Sequence, residues 1–236
     1  MDTGAPVEAV YVAPEGRANP AVALVVARAF DAGVRVFDLA PGVIERVADT
    51  INPQPLLAVV GFTTAAIDVV QHKSMVVVCV DVRDPGNAGT MIRTADAAGM
   101  GAVICCDGTV DPTNPKTVRA SAGSLFHIPV VAGGVPEMVI ETVRSWGFTT
   151  VGTAVRAGVD YAAFDWRRPT ALVFGNEASG LPAPLLESLD AQVSIPMAGK
   201  AESLNVSVAA AVLCFEALRQ RRTAAGPAEP SGGGTP

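Results

Sequence analysis

MVVVCVDVRDPGNAGTMIRTADAAGMGAVICC, residues 75–106, decides the fold. Its first run, 75–81, is continuously apolar up to Asp81 rather than alternating, as in a strand buried on both faces. A loop with Asp84, Pro85 and Gly86 follows, and then a helical pattern with Asn87 as its natural N-cap. Ala88, Met91 or Ile92, Ala95 and Ala98 share one apolar stripe, and Gly99 suits a left-handed C-cap. A second apolar run, 101–106, closes the unit. Strand, helix and strand in this order imply a parallel sheet covered by helices.

The pattern continues outward. IPVV (128–131), FTTVGTAV (148–155), TALVFG (170–175) and AQVSIP (191–196) read as further buried strands. Residues 6–63 repeat the alternation on a smaller scale, as VEAVYVA, AVALVVARAFDAG, VRVF, GVIERVADT and LLAVVGF. The sequence thus predicts a small α/β domain over 1–63, a linker over 64–74, a larger α/β domain over 75–222 and a disordered Gly/Pro-rich tail over 223–236.

Composition narrows the function classes. The chain has 236 residues, 50% of them apolar and 17% charged, and a net charge of −6. Residues 1–75 carry five basic and eight acidic side chains, which argues against non-specific coating of nucleic acid. A local basic patch remains open, with the Arg and Lys residues between Arg83 and Arg168 as its candidates. The longest apolar stretch, Leu56 to Val70, is interrupted by Gly61, two threonines and Asp68, so no membrane span is expected. The first residues lack a basic region followed by an apolar core, and cytoplasm is the expected location. Cys79, Cys105, Cys106 and Cys214 form no CxxC pair, and with only His72 and His127 beside them no metal site is expected.

Three stretches can carry chemistry. Asn87, Thr90 and Arg93 lie three apart, so an amide, a hydroxyl and a guanidinium project together at the carboxyl end of strand 75–81. A helix cap plus a solvated arginine fits these residues equally well. In LVFGNEASGLP (172–182), Gly175 would let backbone approach a ligand, beside the amide of Asn176 and the carboxylate of Glu177; a tight turn with a surface glutamate fits too. In IPMAGKAESLNVSVAAAVLCFEALRQRR (195–222), a long helix is predicted to start at Glu202 or Ser203. Leu204, Val208, Ala211, Val212, Phe215 and Leu218 form its apolar face, and Ser207, Ala209 and Ala210 permit close helix packing. No GxGxxG or Walker pattern follows a strand.

In this order and spacing, the three stretches resemble the signature motifs of the SpoU family of RNA ribose 2'-O-methyltransferases, over about residues 75–222. RASAGSLFHIPVV (119–131) is similar to a segment of the ribosomal RNA type, near the 23S rRNA and thiostrepton-resistance methyltransferases. The resemblance implies a SPOUT fold, a parallel-sheet α/β domain with a C-terminal trefoil knot, acting as a homodimer with S-adenosyl-L-methionine as cofactor and RNA as partner. It maps cofactor contacts onto Thr153, Gly175, Asn176, Ile195, Met197 and Leu204, and catalytic roles onto Asn87, Arg93, Glu177, Ser203 and Asn205. Because a guanidinium stays protonated, Arg93 is expected to anchor phosphate and stabilise alkoxide charge.

Residues before 75 resemble the small RNA-binding domain that precedes the catalytic domain in rRNA members. The chain begins inside that domain, so its N-terminal part is expected to be incomplete. Ala178 stands where the family commonly has glycine. The alternatives are a tRNA ribose methyltransferase, a non-catalytic RNA-binding relative and, more remotely, a hydrolase using Ser179 and His127.

Overall fold

The computed structural model of the chain describes residues 3–48, 50–154 and 158–225. The chain forms two compact units, Met1–Thr63 and Thr64–Pro236.

In the first unit, β1 (Val7–Val12), α1 (Pro20–Asp31), β2 (Arg35–Asp38), α2 (Ile44–Val47) and β3 (Leu56–Val60) follow one another. The sheet order is β2-β1-β3, with β2 parallel and β3 antiparallel to β1. Asn19 accepts the Ala21 N–H and Pro20 opens α1, which buries Val22, Val26 and Ala29 against Val10 and Val12. The helical pattern GVIERVADT makes a single turn, α2. Only Ile44 is buried there, so there is no apolar face to extend the helix.

The second unit contains β4 (Met75–Cys79), α3 (Pro85–Ala97), β5 (Ala102–Cys105), α4 (Pro115–Ser121) and β6 (Val130–Ala132), followed by α5 (Pro136–Ser145) and β7 (Thr149–Thr153). Then come β8 (Val159–Asp160), β9 (Thr170–Phe174), α6 (Ala183–Ser188), β10 (Ala191–Ser194) and α7 (Val206–Ala225). The seven strands lie in the order β6-β5-β4-β9-β7-β10-β8, with neighbours parallel. Val76, Val78 and Val80 pack with Ile104, Val173 and the α5 residues Val139, Ile140 and Val143 on one face. The alternate residues Met75, Val77 and Cys79 are just as buried, which explains the unbroken apolar runs. The four cysteines are free and buried; burial raises the Cys106 and Cys214 thiols to about 12.

Four details differ from the sequence reading, and two stretches of it fall outside the described residues. The segment read as a linker packs onto the second unit: the Ala65 N–H donates to the Val130 carbonyl, and Val70 is fully buried. The two-residue strand β8 is too short to leave a periodic signal, and it pairs with β10. Val155, read as the end of a strand, lies outside the described residues. So does 226–236 of the stretch read as tail, whereas Thr223–Ala225 continue α7, with Thr223 Oγ1 donating to the Arg219 carbonyl. Finally, the core face of α7 is Ser207, Ala210, Leu213, Cys214 and Ala217, while Val208 and Phe215 of the expected apolar face are each 48% exposed.

Close approach of helices also needs one particular residue. A Cβ on Gly89 of α3 would lie 2.4 Å from the Thr117 carbonyl oxygen of α4. Any side chain there would push α4 off α3.

Candidate active site

The loops after β4, β7, β9 and β10 all leave the carboxyl edge of the parallel sheet, where open α/β sheets bind ligands. The first contains Asp81, a non-glycine residue with φ 58°. Its carbonyl accepts the Asn176 side-chain amide at 3.0 Å, and its carboxylate accepts Arg83 Nε at 2.8 Å.

The cap of α3 is Asp84, not Asn87. Pro85 takes the first helical position, and the Asp84 carboxylate accepts the Asn87 backbone N–H at 2.8 Å. An anionic cap also complements the helix dipole. That hydrogen bond, together with Lys116 nearby, holds the Asp84 carboxyl below its usual range against the opposing effect of burial. With the cap supplied by Asp84, the Asn87 side chain is available elsewhere.

Asn87 stands at the centre of a polar relay. Its Nδ2 donates to Glu177 Oε1 at 3.1 Å, and its Oδ1 accepts Asn205 Nδ2 at 2.9 Å. Glu177 also accepts the backbone N–H groups of Asp84 at 3.0 Å and Arg83 at 3.3 Å. Burial alone would raise the Glu177 carboxyl, but these donors outweigh it and hold it below its usual value. Asn205 Oδ1 accepts the Ser207 N–H and hydroxyl at 2.8 and 2.7 Å. Asn205 therefore caps α7, which starts at Val206 rather than at Glu202 or Ser203.

Around Gly175 the chain folds back on itself. Asn176 and Gly180 exchange backbone hydrogen bonds, and Asn176 Oδ1 accepts the N–H groups of Ala178 and Ser179. A Cβ on Gly175 would sit 2.3 Å from the Leu181 nitrogen, so this glycine is required by its own loop. The tight turn that the sequence allows is therefore present, and Gly175 lines a cavity as well. Ser179 also gives its hydroxyl to Asn176, while His127 meets Asp96 at 3.0 Å, so the two residues of the hydrolase alternative have different partners.

A cavity of about 230 Å³ opens beside this loop. Thr153, Gly175, Asn176, Ile195, Met197 and Leu204 all line it, as do Glu177 and Ser203. Its wall is apolar through Val193, Ile195, Met197, Leu204 and Val206. Among the described residues, no Lys, Arg or His lines it, a donor set that fits an adenosyl group with a cationic centre and does not fit a polyphosphate. Among the described residues, no group of three or more His, Cys, Asp or Glu is placed to hold a metal.

Arg93 stands apart from both relay and cavity. It lies on the exposed face of α3 without a hydrogen bond or ion pair among the described residues. Thr90, on the same side, donates to the Gly86 carbonyl. Sequence reasoning missed Asp84, Ser207 and Glu202, the last of which lines the cavity. An Asp-Pro step is a cap signal that could have revealed the first.

Residues 74–215 match the model of the SpoU rRNA Methylase family. The chain is similar to the 23S rRNA (guanosine(2553)-2'-O)-methyltransferase RlmP of Bacillus subtilis, with 41% identity over 78% of this chain and 73% of that protein. It also resembles the solved structure of the SpoU methyltransferase AviRb from Streptomyces viridochromogenes in complex with AdoMet. There the TM-score is 0.81 at 32% identity, over 94% of this chain and 86% of that one. An AdoMet-bound rRNA methyltransferase from Sinorhizobium meliloti gives a TM-score of 0.80 at 35% identity, over 92% of this chain and 82% of that one.

Proposed function

This chain belongs to the SpoU rRNA methylase family, and from that premise we propose that it methylates a ribose 2'-OH of 23S rRNA, with S-adenosyl-L-methionine as donor. The observation that carries the reading is the convergence of three distant stretches: Asn87 is joined by hydrogen bonds to Asn205 and to Glu177, which lines the apolar cavity. The AdoMet-bound relatives of the same fold support the cofactor. That cofactor supplies an already activated methyl group, so the task left to the protein is alignment.

Thr153, Gly175, Asn176, Ile195, Met197 and Leu204 form the cofactor wall, with Ser203 at its edge. Glu177, held by two backbone N–H groups and the Asn87 amide, fixes the β4–α3 loop against the β9–α6 loop. Asn205 and Asn87 carry that fixed geometry to the start of α7. Arg93 binds the phosphate next to the target ribose and stabilises the charge that develops on the 2'-oxygen.

Three features of the assembly belong to the same reading. The C-terminal part forms a trefoil knot. Supporting this, β9 returns between β4 and β7, and Gln220 and Arg221 of α7 bind carbonyls of Ala162, Phe164, Trp166 and Arg168 in the strap that follows β8. The enzyme is a homodimer through the exposed Val208 and Phe215 of α7, which with Leu218 recur at helical spacing. The 1–63 unit binds RNA, and an rRNA substrate places the work in the cytoplasm.

The test is incubation of 23S rRNA with the chain and S-adenosyl-L-methionine, followed by nucleoside mass analysis. A methyl group on a ribose fragment is the expected product. A base methyl, or none, would overturn the reading.

A further inference from the structure

We propose that Glu202 reads the charge of the cofactor, favouring the sulfonium donor over the neutral thioether left after transfer. This rests on the cofactor assignment above. Among the described residues, two that line the cavity bear a formal charge, Glu177 and Glu202, and both are acidic.

The two are in different states. Glu177 already accepts hydrogen bonds from Arg83, Asp84 and Asn87, so much of its field is neutralised by protein donors. Glu202 is exposed and makes no hydrogen bond or ion pair among the described residues. A carboxylate with no partner and no cation beside it in the cavity wall among the described residues attracts a ligand cation with little competition. At separations of about 6 Å near a protein surface, that attraction amounts to severalfold in affinity after solvent screening.

Donor and product differ in the one feature this field distinguishes. Transfer breaks the S–CH3 bond and forms an O–CH3 bond; the sulfur keeps the electron pair and loses its positive charge, while the 2'-OH proton leaves to solvent. The product thus loses its attraction to Glu202 at the moment it must depart. A simpler role for Glu202 is a favourable charge just before the N-terminus of α7. That role would change stability and would treat both ligands alike.

The experiment is calorimetric titration of the full chain with S-adenosyl-L-methionine and with S-adenosylhomocysteine, for the wild type, Glu202→Gln and Lys200→Gln. Glu202→Gln should weaken donor binding about fivefold more than product binding, and added salt should shrink the difference. Lys200 lies outside the cavity lining, so its substitution should leave the ratio of the two affinities unchanged. Equal loss for both ligands, or a lowered denaturation midpoint with the ratio intact, would overturn the charge-reading role. A wild type that bound neither ligand would remove the cofactor assignment itself, and this inference with it.

Discussion

Two parts of one site differ in how their polar groups are satisfied. Along the relay, Glu177, Asn87, Asn205 and Ser207 are bound to one another or to backbone N–H groups. Glu202 in the cavity lining and Arg93 on the exposed face of α3 have no partner among the described residues. Saturated groups are held in place and position the loops around them. Unpartnered charges remain available to a ligand, and the proposed function gives geometry to the first set and recognition to the second.

Substitution at Arg93 should break this division most sharply. Arg93→Ala removes a charge without a partner among the described residues, so turnover should fall by roughly a thousandfold. Cofactor affinity and the denaturation midpoint should stay at wild-type values, read by calorimetry and denaturant titration. Next in size is Glu177→Gln, which leaves backbone donors of Arg83 and Asp84 facing a weaker acceptor and an amide. Turnover should fall by about a hundredfold, and stability by about 1 kcal/mol, because a member of the relay acts on both. An intact fold with lost turnover would move Glu177 from the first set to the second.

Acid titration sharpens the same contrast. The Glu177 carboxyl is depressed in the folded chain, so its stabilising contribution is full above its unfolded value of about 4.3 and is lost as pH falls through its lower folded value. The stability gap between wild type and Glu177→Gln should therefore be flat near neutrality and close below about pH 4. Denaturant midpoints of both proteins across that range would measure it. The smallest effect on the site itself is expected from Phe215→Glu on the exposed stripe of α7: light scattering should show a monomer mass, with the relay's stability contribution preserved.

Much of the fold was legible because its strands are buried on both faces, so Met75–Cys79 and Thr170–Phe174 are unbroken apolar runs. The helix starts were harder. Asn87 and Ser203 are good capping residues, yet Asp84 and Asn205 hold those positions, and which acceptor reaches a free N–H depends on how the loops fold. On α7 both faces are apolar, so periodicity could not say which one meets the sheet. Small residues such as Ala210 and Ala217 were chosen by the close approach of α3, leaving Val208 and Phe215 outside.

The candidate site divided in the same manner. Cavity residues followed the motif order because each loop simply continues its strand to the carboxyl edge. The relay was not legible as connected bonds, since Asn87 and Asn205 are separated by more than half the second unit and meet only through the sheet order. Glu202 gave no sequence signal, because a carboxylate without a partner looks like any solvated surface charge.

The central claim is tested most directly by single-turnover transfer of a labelled methyl group from S-adenosyl-L-methionine to 23S rRNA, run in parallel for wild type and Arg93→Ala at saturating cofactor. The account predicts label in alkali-stable dinucleotides for the wild type, and none above background for the variant despite unchanged cofactor binding. Wild-type transfer by Arg93→Ala, or label that alkali releases as single nucleotides, would contradict it.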